Sequence, residues 1–141
     1  MRCSGTFTQS GLGFGYLAAI GIARFRDLSF ASRMQDVSEQ LLRRTRDSFT
    51  LGRGLAISAF FTLHVLVPLE NLLDVFNEAM DHSLACGDKY FFLFSAGCLA
   101  LSRLYLGANM VETESSCEFS AEGFGDWSTD TRGGVLLTAV R

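Results

Sequence analysis

Polar and apolar positions separate most clearly between Pro68 and Asp88. Leu69, Leu72, Leu73, Phe76, Ala79, Met80 and Leu84 recur at helical spacing, while Glu70, Asn71, Asp74, Asn77, Glu78, Asp81 and His82 fill the opposite face. The pattern predicts an amphipathic helix of about five turns. Pro68 suits its first position, where a backbone donor is unpaired anyway, and Glu70 favours that end of the helix dipole. Gly87 is a natural stop, because glycine takes the left-handed cap conformation without strain. A one-sided helix needs a partner, and both flanks supply one.

From Phe14 to Phe25 the chain is apolar on nearly every side, as expected of a helix sandwiched between others. Asp27 caps a second helix with the stripe Leu28, Ala31, Met34, Ser38, Leu41 and Leu42; Arg33, Asp36, Glu39 and Arg43 face water. Arg43, Arg44 and Arg46 suit the negative pole of its dipole. Asp47-Ser48 starts another apolar helix, carrying Leu55, Ile57, Phe60, Phe61, Leu63 and Leu66, which Pro68 ends. Asp88 caps a third, Tyr90 to Leu106, the most hydrophobic of all, broken by Gly107. Asn109 to Glu122 makes an acidic partner with Met110, Cys117 and Ala121 inward.

The turns within pairs fall near Arg26, Pro68 and Gly107, spaced by 42 and 39 residues; those between pairs, near Asp47 and Gly87, are 40 apart. An apolar helix followed by an amphipathic one, repeated at this period, predicts an all-α, right-handed array of about three antiparallel helical hairpins: a tetratricopeptide-like (TPR-like) solenoid fragment. Residues 1–13 are expected to be a disordered or truncated segment, 14–122 the repeat domain and 123–141 an irregular tail, where VLLTAV is too short to assign.

Composition adds weight to the array. Of 141 residues, 48% are hydrophobic and only 19% charged, as expected of a piece of a larger stack with unshielded ends. The net charge of −3 hides an asymmetry: residues 1–53 carry a net of +4, residues 54–130 a net of −9. Basic and aromatic residues do not interleave, so no nucleic-acid partner is expected. Complementary faces between repeats fit better. Cys3, Cys86, Cys98 and Cys117 are scattered without metal-ligand spacing, which fits a reducing cytoplasm. The apolar runs fall short of the roughly twenty residues of a spanning helix. Membrane insertion is not expected, and a small helical membrane-associated protein is the rival reading.

Candidate chemistry is sparse. Gly11-Leu12-Gly13-Phe14-Gly15 has neither the GxGxxG spacing nor the lysine of a phosphate loop. His64 and His82 lie in different helices with no third ligand. Asp126, Asp130 and Arg132 form no nucleophile–base arrangement. No catalytic residue, cofactor, metal site or small-molecule substrate is expected. The candidate contact residues for a protein partner are Arg33 and Arg43 on the basic side and Glu70, Asp74 and Glu78 on the acidic side. The groove between successive first helices is the expected docking surface.

One resemblance is specific. The run His64-x-x-x-Pro68-Leu69, the stripe closing on Ala79 and Gly87-Asp88, then Leu106-Gly107 followed by Glu112 and Glu114, resembles the TPR-like helical region of large multidomain signalling kinases. In that family a kinase-like domain and an AAA-type ATPase module precede the region, and a GAF domain and sensor histidine kinase often follow. The family pattern is approximately His-Trp-x-x-Pro-Leu; here Val65 replaces the tryptophan, and nothing beyond Gly123 matches. The resemblance implies a non-catalytic scaffold or coupling segment, a fragment or divergent paralogue, that binds neighbouring repeats or signalling domains.

Overall fold

Four side chains start helices where the sequence places them. Asp27 accepts from Phe30 N at 2.8 Å, Asp47 from Phe49 N and Thr50 N at 3.3 and 3.2 Å, Asp88 from Phe91 N at 3.3 Å, and Asn109 from Val111 N at 2.9 Å. Each satisfies a backbone donor that the first helical turn leaves unpaired. The computed structural model describes residues 9–122. Among them the secondary structure is entirely helical, in six rods: α1 (Ser10–Phe25), α2 (Leu28–Arg44), α3 (Ser48–Leu66), α4 (Glu70–Cys86), α5 (Lys89–Tyr105) and α6 (Met110–Ala121). The expected tail from Gly123 onward, VLLTAV included, lies outside the described residues.

Two boundaries and the pitch of two helices differ from expectation. α1 begins at Ser10, so Ser10–Gly13 is helix instead of frayed chain. Pro68 stands two residues ahead of α4, and its carbonyl accepts from Asn71 N at 3.1 Å in a tighter entry turn. α1 and α3 each change pitch near their C-terminal ends, becoming π-helical over Gly21–Phe25 and Ala59–Leu63. Gly87 closes α4 at φ 74°, the left-handed stop expected of it.

Consecutive helices pack on one another. In α1 and α2, Gly11 lies against Leu42, Gly15 against Ser38, and Gly21 against Phe30 and Ala31, so the rods run antiparallel. The Ser38 hydroxyl donates to the Gly11 carbonyl at 2.7 Å across this seam. α3 and α4 repeat the arrangement, with Gly52 against Ser83 and Ala59 clustered with Leu72 and Phe76. α5 packs against α4, and α6 seats Cys117 on Leu93, Ala96 and Ala100.

The interior is made largely of small side chains. Ala18, Ala31, Ser38, Ala59, Thr62, Ala79, Ser83 and Ser95 are all buried, and the largest fully buried ones are leucines. Small residues let helix backbones approach closely. The corollary corrects the expected stripes. α1 is not sandwiched: it buries Gly11, Gly15 and Ala18 and leaves Tyr16 51% and Phe25 68% exposed. Gln35 takes the inward place between Ala31 and Ser38 in α2, while Leu28 turns half outward. Ser83 displaces Leu84 (62% exposed) in α4, and Thr113 displaces Met110 (69% exposed) in α6.

Candidate interaction groove

α1, α3 and α5 each expose apolar side chains around two neighbouring depressions. Tyr16, Ala19, Ile20, Ile22 and Ala23 of α1 face Phe61 and His64 of α3 across one depression. Phe61 and His64 also border a more enclosed pocket of about 380 Å³, completed by Leu69 just ahead of α4, Leu72 and Phe76 of α4 and Leu101, Ser102 and Tyr105 of α5. Phe61 and His64 border both, so the two depressions adjoin and together form the candidate groove. Phe61 is 47% and Tyr105 78% exposed. Both π-helical turns lie on it, contributing Ile22 and Ala23 on one side and Ala59, Phe60 and Phe61 on the other. A π turn carries more residues per turn than an α turn, and such turns recur at functional sites. No feature of the composition announced them.

The five contact candidates fall on α2 and α4, and none of them lines this groove. Arg43 and Glu78 are brought together: Arg43 Nη1 donates to Glu78 Oε1, joining α2 to α4, and Arg43 Nε lies 3.5 Å from Glu39 Oε1. The bond from Glu78 holds the Arg43 guanidinium further toward its charged form, against partial desolvation. Expected as separate basic and acidic contacts, the two answer each other within the chain. Arg33 Nη1 donates to Ser29 Oγ at 3.1 Å on the outer face of α2. Glu70 and Asp74 are exposed on α4.

A polar node absent from the sequence reading ties α3 to α5. Arg53 Nε donates to Asp88 Oδ2 at 2.6 Å while Asp88 caps α5, and the Asp88 side chain is only 6% exposed. The guanidinium lies over the Phe49 ring at 3.8 Å and the Phe91 ring at 4.8 Å. Arginine gains here from charge, from a directed hydrogen bond and from two aromatic faces.

His82 Nδ1 lies 3.3 Å from Ser48 Oγ and serves the α3–α4 couple, whereas His64 borders the groove. Among the described residues no three histidine, cysteine or carboxylate side chains converge as a metal set. Burial pushes the Cys98 thiol up to about 12, and the Cys117 thiol is raised for the same reason. Both behave as small apolar side chains in the core. The glycines of 11–15 serve helix contact, since Gly11 abuts Leu42 and Gly15 abuts Ser38. Asp126, Asp130, Arg132 and Cys3 lie outside the described residues.

No protein-family model matches the chain, and no curated protein or solved structure matches it either.

Proposed function

We propose that the chain is a non-catalytic helical-repeat scaffold, a TPR-like segment that docks a protein element in the groove of its first helices and couples neighbouring domains of a signal-transduction ATPase or kinase. The observation that carries the docking reading is the groove itself. Large apolar side chains are exposed on α1, α3 and α5, while no ionised residue of α2 or α4 lines the groove and Arg43 pairs with Glu78. Exposed apolar surface of this contiguity marks an interaction site. The signalling context rests on the His64-x-x-x-Pro68-Leu69 and Gly87-Asp88 resemblance. Here α3 ends just before Pro68 and α4 stops at Gly87, so these residues work as helix punctuation.

A membrane-associated protein is the competing reading. Its support is that α3, Ser48–Leu66, is long and apolar enough to cross a bilayer, although more than half of that span is buried against other helices. The coding sequence on either side of this reading frame separates the two. An ATPase module upstream and a sensor histidine kinase downstream are expected, with the purified chain binding one of those modules and Phe61→Asp abolishing the binding. Unrelated flanking frames, together with a chain extractable only in detergent, would overturn the scaffold.

A further inference from the structure

The groove has a charge signature as well as an apolar floor. Among the described residues, the three helices that line most of it, α1, α3 and α5, contain no aspartate or glutamate; the helical carboxylates all belong to α2, α4 and α6. Arg24 follows directly on the lining residues Ile22 and Ala23, and Arg26 closes the same turn beside Asp27, which is occupied as the cap of α2; both arginines are exposed. Arg26 sits in the left-handed region at φ 52°, where the end of α1 turns away. The other cations of these helices are engaged or turned elsewhere. Arg53 is bound by Asp88, Lys89 at the start of α5 has a partner of its own, and Arg103 borders a separate cleft beside α6. Glu70, next to Leu69, is the one carboxylate adjoining a lining residue in sequence, at the opposite side from α1.

From this we infer that the groove takes an amphipathic helix whose carboxylates lie over the α1 end, with a large apolar side chain seated in the pocket bordered by Phe61, His64 and Tyr105. The inference rests on the docking reading above and adds the chemistry of the partner. Length agrees with a helix. Neighbouring rods lie about 8–10 Å apart, so three in a row span roughly 20 Å, the rise of about 13 helical residues. Apolar anchors on one face would fill the pocket and the α1–α3 depression, as in other helix-in-groove complexes. Two exposed arginines supply steering and a modest preference.

The test uses the full 141-residue chain and three fluorescent amphipathic peptides of about 15 residues, sharing one Leu/Phe face and differing only in polar positions that are all Glu, all Lys or all Gln. Anisotropy should show the Glu peptide binding about five-fold tighter than the Lys peptide at low salt, with the gap closing as salt is raised. Arg24→Glu combined with Arg26→Asn, which tolerates left-handed backbone, should reverse the order. Phe61→Asp should abolish all binding while melting temperature holds. Equal binding of the three peptides, still lost in Phe61→Asp, overturns the acidic partner and leaves the docking groove standing. No peptide binding at all overturns the docking groove too. Preferential binding to phosphatidylcholine–phosphatidylserine vesicles over every peptide overturns both in favour of a lipid surface.

Discussion

Asp47 gathers two backbone donors and the Thr50 hydroxyl at the start of α3. The Thr50 hydroxyl is the main reason its carboxyl titrates below the ordinary value of 3.8. A carboxylate with a depressed folded-state pKa adds stability above its unfolded value, and that stability disappears as pH falls through the folded one. Thr50→Val should therefore lower the melting temperature at neutral pH, with the gap to the parent closing below about pH 3.8. Circular dichroism melts across that range measure it; a gap independent of pH would mean the hydroxyl acts through packing instead. Asp27, Asp47, Asp88 and Asn109 were legible because a short acceptor ahead of an apolar run has few other uses. Gln35 was not. A glutamine looks solvent-facing in a sequence, yet it is buried at 4% exposure with its Oε1 lacking a partner among the described residues.

At the scale of the element, small residues decide which faces meet. Gly54 lies in α3 where any added Cβ would collide with the buried Leu42 of α2. Gly54→Ala should cost about 1–3 kcal/mol through overpacking. Gly13→Ala, on the exposed side of α1 with nothing within 4 Å, should instead stabilise by about 0.5–1 kcal/mol as helix propensity dictates. Urea titration of the two variants reads opposite signs if the α2–α3 contact is as described. The Arg53–Asp88 node offers a second check. Asp88→Ala removes both a helix cap and the acceptor of Arg53, and should destabilise by roughly 2 kcal/mol; Arg53→Met, which keeps the contact with Phe49 and Phe91, should cost less. Equal losses would place the stabilisation in the ion pair alone. Helix number and order followed from periodicity and punctuation. The orientation of α1 did not, because a run apolar all round gives no phase, and its glycines read as loop material before they read as a contact seam.

At the scale of the whole molecule, greasy composition turns out to be partly an outer property. The core is built mainly from alanine, serine, glycine and leucine around Phe76, while Tyr16, Phe25, Tyr105 and Phe119 stand in the open. Tyr105→Asp should therefore change stability by less than about 0.5 kcal/mol while reducing binding of a hydrophobic dye such as ANS. A large loss of stability would place Tyr105 in the core instead. The expectation of a groove along α1, α3 and α5 came from their apolar repeat. The arrangement of its floor did not, since a change of helical pitch depends on how a rod settles against its neighbours.

The two wide turns, Gly21–Phe25 and Ala59–Leu63, have a consequence for how this surface can vary. A π turn accommodates one residue more than the α turn it replaces, so a single-residue deletion there can be absorbed on the spot. Ala18 and the turn at Arg26 that ends one rod, and Ser58 and His64 within the other, would keep their bearings while a different side chain came to the floor between them. The fold thus carries two places where its lining can be re-lettered by a codon's loss without rebuilding the walls.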